Sequence, residues 1–167
     1  MRAADKIPAA GPCVVFRIDG QLYGIRLSVV SRVVGAAEIT RLPGAPEIVL
    51  GIINLAGWVV PVVNLRRRFR LPERGLELTD QFIVASTPRP GAPEGDGRIL
   101  ALVVDGVVGV RELSAGERDS KSILPGLEHL EGVAKTAEGL VLIHDLGTFL
   151  SLEEEQALAE GLLSLKS

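Results

Sequence analysis

The sequence predicts an all-β protein, built as barrels or a sandwich, with one helix at its C-terminal end. Three observations lead there. Ten or so short apolar runs are each ended by turn residues. Asp-Gly separates neighbouring runs at Asp19-Gly20 and again at Asp105-Gly106. The tail alone changes from alternation to helical spacing. A chain of 167 residues suits one compact domain, or two small lobes sharing a core.

The elements follow in order. Residues 1–12, "MRAADKIPAAGP", combine small residues with Pro and Gly, and read as a disordered lead before the fold begins at Cys13 or Val14. They hold no long apolar region before a cleavage site, so they do not read as a secretory signal. "VVFRI", Asp-Gly and "LYGIRL" form the first predicted hairpin, because both turn residues tolerate positive φ. Val14, Phe16 and Ile18 alternate with Val15 and Arg17, which predicts one core face and one mixed face. "LSVVSRVVG" reads as a helical turn at Leu27 to Val30 leading into a strand. "RLPGAPE" is a loop, since its prolines and glycine forbid regular structure.

"GIINL" and "WVVPVVNL" are strands joined by a tight turn at Ala56-Gly57. Pro61 cannot donate to a ladder, so its strand is expected at an edge or with a bulge there. "RRRFRLPERG" reads as a charged loop, "QFIVAST" as a strand, and "PRPGAPEGDG" as a long exposed connection. "RILALVV", Asp-Gly and "VVGVREL" repeat the first hairpin, which suggests two similar β lobes and weakly an internal duplication. A loop in "SILPGLEHLEGVAKT" gives way to a strand near Gly132 to Thr136, and "GLVLIHDL" is a strong strand before a short helical turn at "GTFL". In residues 151–167, Ser151 and Glu154 form a capping-box pattern, while Leu158, Leu162 and Leu165 recur at helical spacing. This is the amphipathic C-terminal helix, with Gly161 as a mild weakness.

The totals narrow the function. The net charge of −3 disfavours nucleic acid, whose binders carry a basic excess to neutralise phosphates. The single cysteine, Cys13, permits neither an intramolecular disulfide nor a cysteine-based zinc site, and fits a reducing compartment. Asn54, Gly57, Pro61 and Asn64 interrupt the most apolar stretch, so no run of about 18 apolar residues predicts membrane insertion.

Catalytic equipment is thin. The two histidines read as structural: His144 as an inward or rim residue of a strand, His129 as a solvated loop residue. A hydrolase using His144 with Asp145 lacks any nucleophile signature, no metal-ligand spacing recurs, and "GVVGV" lacks the lysine of a phosphate loop. No catalytic residue, metal or cofactor is expected. Arg66, Arg67, Arg68 and Arg70 read as a solvated loop or a contact with acidic protein groups. Trp58 follows the tight turn, where burial is the ordinary expectation and an interface anchor the sharper one.

The ordered segments "YGIRLSVVSRVV", "ITRLPGAPEIVLGIINLAGWVVPVVNLRRRF", "LALVVDGVVGV" and "LEGVAKTAEGLVLIHDLGTFL" resemble the CheW family of bacterial chemotaxis scaffolds. The likeness runs from about Val14 to Leu150, within a CheW-like domain placed at residues 13–150. It implies two five-stranded, SH3-like β-barrel lobes packed around a shared core. It implies a non-catalytic cytoplasmic adaptor at receptor arrays, binding the regulatory domain of a CheA-type histidine kinase and the signalling tip of chemoreceptors. By position, Val30, Arg32, Gly51, Asn54, Ala56, Gly57 and Trp58 would line the receptor groove, and Val107, Val108 and Val110 would face the kinase.

Three positions depart from the family pattern. Ala56 stands for the arginine of Asn-Leu-Arg-Gly, Arg32 stands where many members carry an acid, and Asn64 replaces the aspartate of Pro-Val-Val-Asp-Leu. An acid and an arginine could pair across the groove; Arg32 and Ala56 cannot, which implies altered partner choice. The alternative is an orphan scaffold in a non-chemotaxis kinase pathway governing motility or gene regulation. An isolated kinase fragment fits less well, because no ATP-binding Gly-rich segment occurs and the lead and tail read as those of a complete protein.

Overall fold

A computed structural model describes residues 10–87, 97–114 and 130–165. Its strands are β1 (Ala10–Ile18), β2 (Gln21–Arg26), β3 (Val30–Gly35), β4 (Val49–Leu55), β5 (Trp58–Val63), β6 (Gln81–Thr87), β7 (Arg98–Val104), β8 (Gly106–Ser114), β9 (Leu130–Thr136) and β10 (Gly139–His144). A short helix α1 (Leu65–Arg68) follows β5, and α2 (Leu152–Ser164) ends the described chain. The strands form two five-stranded sheets, ordered β8-β1-β2-β10-β9 and β3-β6-β7-β5-β4.

The lobes are not the two halves of the chain. One takes β1 and β2 from the start and β8, β9 and β10 from the end; the other is the contiguous middle. Superposing the two orders matches β6 with β1, β7 with β2, and β3, β4, β5 with β8, β9, β10. Every pairing agrees: β10 runs parallel to β2 as β5 does to β7, and all other neighbours are antiparallel. The bulges agree too. Ser31 and Val108 fall at matching irregularities, as do Leu50 and Glu131. The chain is thus a duplicated five-strand unit whose copies exchange strand pairs, and the copies cannot part without breaking ladders.

Alternation in the strands produces three cores. Val14, Phe16 and Ile18 of β1 face a cluster shared between lobes, with Ile83 and Ala85 of β6 and Leu100, Leu102 and Val104 of β7. Cys13 and Val15 point the other way, into the first lobe. Phe82 and Ala101 do so in the second, where Val34, Ala36 and Leu55 pack beside them. The mixed face expected for β1 is therefore a second buried face, interrupted only by exposed Arg17. Burial also pushes the Cys13 thiol pKa up. His144 lies buried on its strand, its ring 4.4 Å from that of Phe69.

Several expectations are corrected. Asp105-Gly106 is not a hairpin: β7 and β8 belong to different sheets, and neither residue has positive φ. Asp105 is instead a hub at the crossing. It accepts hydrogen bonds from the Asp19 N–H at 2.8 Å, Arg66 Nη2 at 2.9 Å and Arg74 Nη2 at 2.8 Å. The basic run is a helical turn rather than a loop, because Asn64 caps it by accepting from the Arg67 N–H. Its arginines are absorbed internally: Arg66 by Asp105, Arg67 by Glu73 and Glu47, Arg68 by Glu154.

Pro61 sits inside the sheet order, not at an edge, and the bulge is at Leu50 opposite. Its missing donor is harmless because the ladder to β7 begins only at Val62. Strand β1 begins at Ala10, ahead of the expected start; the rest of the lead, most of the 88–97 connection and His129 lie outside the described residues.

Helix α2 packs on its own protein. Its capping box is formed by Ser151 and Glu154, Leu158 is fully buried, and Arg98 Nε donates to Glu155 at 2.7 Å. The helix runs close to the β3–β4 connection at Gly161, where a Cβ would lie a tight 3.3 Å from the Pro43 carbonyl oxygen.

Candidate partner-binding surface

The β4–β5 hairpin gathers five of the seven groove residues, and the sequence explains its shape. Ala56 (φ 52°) and Gly57 (φ 89°) are both left-handed, the geometry of the tight turn that matches strand twist. Asn54 Oδ1 accepts from the Gly57 N–H at 2.9 Å and locks the tip. An alanine in this conformation costs about 1 kcal/mol relative to a relaxed backbone. Beyond the turn, Trp58 is 71% exposed and Val59 52% exposed. The core reading of Trp58 fails because its strand emerges from the turn before reaching the interior; burial begins at Val60.

Gly51 has a different role from its neighbours. It is buried at φ 155°, and a Cβ there would sit 2.3 Å from the Thr40 carbonyl oxygen. Thr40 and Ile52 exchange backbone hydrogen bonds of 2.9 and 2.7 Å, so the chain leaving β3 closes the lobe against β4 at this point. Gly51 therefore permits closure and offers nothing to a partner's side chain.

Val30 and Arg32 stand on β3, at the other end of the sheet order from β4. Val30 is half-buried against the shared core, and Arg32 is exposed. Among the described residues Arg32 makes no ion pair and touches no group of the hairpin through a hydrogen bond. Val34, Ala36 and Leu55 all pack against the same buried cluster, which joins the two elements behind the surface.

The residues expected on the kinase side lie on β8, the counterpart of β3. Val107 and Val108 are half-buried against the shared core and the first lobe's core, and Val110 is 52% exposed. Val33 occupies the position of Val110 on β3 and is also exposed. Sequence reading missed Val33 and Val59; their signal was alternation at the margin of a strand, which does not distinguish an open face from a core. Among the described residues no group of three or more His, Cys, Asp or Glu side chains could hold a metal, and no helix is long and apolar enough to cross a membrane. The surface is thus a rigid turn with an apolar tip, and the exposed Arg32 stands on the same lobe.

Known proteins share this arrangement. The family model described as the CheW-like domain matches residues 12–154. Chemotaxis protein CheW of Treponema pallidum is 27% identical over 157 residues, covering 87% of this chain and 85% of the relative. That of Klebsiella aerogenes is 26% identical over 144 residues, covering 84% and 82%. The crystal structure of scaffolding protein TtCheW from Thermoanaerobacter tengcongensis superposes with a TM-score of 0.74 at 28% identity, over 87% of this chain and 96% of that one. With two exchanged five-stranded sheets and a match of this extent, the chain belongs to the CheW-like domain family.

Proposed function

We propose that this protein is a chemotaxis coupling adaptor, joining chemoreceptors to a CheA-type histidine kinase without chemistry of its own. The observation that carries the reading is the Trp58 tip: a large aromatic side chain left 71% exposed on a turn fixed by Asn54. Rigid exposed aromatics give contact area at low ordering cost, and tryptophan is enriched among energetic anchors of interfaces. The relatives' names, chemotaxis protein and scaffolding protein, support the same role. The receptor signalling tip would dock against Trp58, Val59 and the turn, with Arg32 selecting an acidic group on the partner. The kinase regulatory domain would meet β8 through Val110 and its neighbours. The protein would act in the cytoplasm, held at the inner membrane only through its partners.

The test is a titration of the purified protein against receptor signalling tips and, separately, a kinase regulatory domain, by calorimetry. Saturable binding to both is expected. Binding to neither defeats the adaptor reading; binding to a kinase domain alone would favour an orphan scaffold serving another pathway. The pair Ala56→Arg with Arg32→Glu should shift preference among receptor tips, and unchanged affinities would remove these positions from the contact.

A further inference from the structure

Helix α2 leaves one lobe and grips the other. It follows β10 of the first lobe, through the capped turn at Asp145 and the buried Phe149. It then meets the second lobe at three places. Arg68 of α1 donates to Glu154 at 2.6 Å, and Arg98 of β7 donates through Nε to Glu155 at 2.7 Å. The Arg98 and Glu155 side chains are each 12% exposed, so solvent screens this pair little. Further along, Gly161 runs against Leu42 and Pro43 of the β3–β4 connection. Fully buried Leu158 and half-buried Leu162 belong to the same cluster as Leu42 and Ile48.

The ends of that connection are tied by backbone hydrogen bonds. The Ala36 N–H donates to the Asp80 carbonyl at 3.0 Å, and the Asn64 N–H to the Ile48 carbonyl at 2.8 Å. Its middle is a tight turn closed on itself. Pro43 and left-handed Gly44 (φ 82°) stand between Leu42 and Ala45, whose N–H donates to the Leu42 carbonyl at 3.2 Å. Packing holds this turn to the body, through Leu42 in the shared core and Pro43 against α2. Two residues before Leu42, Thr40 makes the paired hydrogen bonds to Ile52 that close the lobe. The connection leaves β3, which carries Arg32, and enters β4, whose hairpin carries Trp58. The turn under α2 therefore lies between the two sides of the partner surface. The family match ends at residue 154, the third residue of α2, so Leu158, Gly161 and Leu162 lie beyond it.

We propose that α2 is a brace for the partner surface: by holding the Leu42–Ala45 turn it steadies the bridge at Thr40, and with it the spacing of Arg32 from the Trp58 hairpin. None of its residues need touch the receptor. A connection ordered before docking loses less entropy on docking, so the brace acts on affinity. The kinase-side strand β8 pairs with β1 in the other sheet, outside the reach of this effect. The inference rests on the reading that Arg32 and Trp58 face a receptor, but the brace itself is measurable without a partner.

Amide hydrogen exchange on the full chain is the first test. Arg98→Glu sets two carboxylates against each other and should loosen α2, speeding exchange at Thr40 and Ile52 about tenfold. Exchanging the charges, Arg98→Glu with Glu155→Arg, restores the pair and should return exchange to within about threefold of the original. Ile143→Val, in a cluster of the first lobe that α2 does not enter, lowers Tm and should leave Thr40 and Ile52 within about twofold. Calorimetry against a receptor signalling tip is the second test. Arg98→Glu should weaken binding about fivefold, the charge exchange should recover it, and affinity for a kinase regulatory domain should stay within about twofold. Unchanged exchange in Arg98→Glu overturns the brace, as does a rise that Ile143→Val matches. Faster exchange with unaltered receptor affinity overturns its role in the partner surface. If the unmodified protein binds no receptor tip, the adaptor reading fails, while the exchange result still decides the brace.

Discussion

The β4–β5 and β9–β10 hairpins occupy the same place in the two copies of the fold, and they have been put to different use. Both join their strands by a two-residue turn, Ala56-Gly57 and Ala137-Glu138. Both lead into a capped turn, Asn64 accepting from Arg67 and Asp145 accepting from Gly147. Each of these ends on a buried phenylalanine, Phe69 and Phe149, whose rings meet edge-on at 5.8 Å between the lobes. The differences that bear on a partner are at the tip. One turn presents Trp58; the other has Gly139 at that position, and its Glu138 accepts two hydrogen bonds of 3.1 Å from Arg111. The scaffold dictates where a hairpin projects, and the side chains at its tip decide whether it invites a partner or closes on itself.

The largest expected effect attacks the closure behind the Trp58 hairpin. Gly51→Val places side-chain atoms against the Thr40 backbone, which cannot move without opening the lobe. A loss of roughly 3–5 kcal/mol is expected, read as a lower midpoint in urea. Because each lobe is built from strands of both copies and the lobes share a core, unfolding should remain a single transition. A second transition, with the first lobe surviving alone, would show that the exchange of strand pairs does not couple them.

Next come the tips themselves. Trp58→Ala should cost partner binding about 2 kcal/mol, near 30-fold in Kd, with stability changed by less than about 0.5 kcal/mol. Leu140, whose place in the other hairpin is that of Val59 and which is equally 52% exposed, provides the control. Leu140→Ala should leave binding of a receptor tip unchanged. Equal losses from both would mean that the two hairpins dock alike and that the comparison drawn from their tips is wrong.

Much of this comparison was legible in the sequence, but at another spacing. "GIINLAGWVVPVVNL" and "GVAKTAEGLVLIHDL" align without a gap, sharing Gly51 with Gly132, Ala56 with Ala137, Val60 with Val141 and Leu65 with Leu146. The Asp-Gly pairs suggested duplication for the wrong reason. Asp19-Gly20 turns a hairpin, with φ of 57° and 83°, whereas Asp105-Gly106 joins two sheets. A dipeptide reports what its backbone can do locally; which strands pair on either side is settled by contacts distant in sequence. Trp58 failed similarly. Its composition favours burial, and only the register of β5, with the interior beginning at Val60, turns it outward. The arginine run reads from sequence as a solvated loop or a contact with acidic groups; it is a helical turn that meets acids of its own chain, and Glu73, Glu154 and Asp105 come from three separate segments that sequence alone does not bring together.

Electrostatics offers a smaller test. In the second lobe, burial opposes ionisation of Asp80, but its hydrogen bonds from Arg74 and the Glu77 N–H outweigh this and hold its pKa below the usual carboxylate value. Glu154 behaves alike: burial opposes, while the Ser151 N–H and Arg68 prevail. For groups depressed in the folded state, the stabilisation is complete above the unfolded pKa, about 4, and is lost as pH falls through the folded value. Acid titration should therefore destabilise the protein below about pH 4. Asp80→Asn should flatten that dependence and cost about 2 kcal/mol at neutral pH, less than for a fully buried pair because Arg74 is partly exposed. Arg111 lowers the Glu138 pKa too, but in open solvent, so Glu138→Gln should leave the acid profile nearly unchanged. An unaltered profile in Asp80→Asn would assign the acid loss elsewhere.

The smallest effect distinguishes the two turns at the level of the backbone. Ala56 is held at φ 52°, where a Cβ crowds the following carbonyl; Ala137 and Glu138 have no positive φ, and the second hairpin places its unusual angle on Gly139 at 128°. Ala56→Gly releases the strain but adds freedom to the unfolded chain, leaving a net gain of about 0.5 kcal/mol. Ala137→Gly gains nothing at the turn and pays the same entropy, so it should lose about 0.5–1 kcal/mol. Opposite signs at matched positions, measured by urea unfolding, would establish that the copies solve the same turn by different backbone conformations. Equal signs would mean that Ala56 is not strained. The conformation matters to binding as well, since it aims the strand that carries Trp58; Ala56→Gly should preserve that aim and leave partner affinity within about twofold.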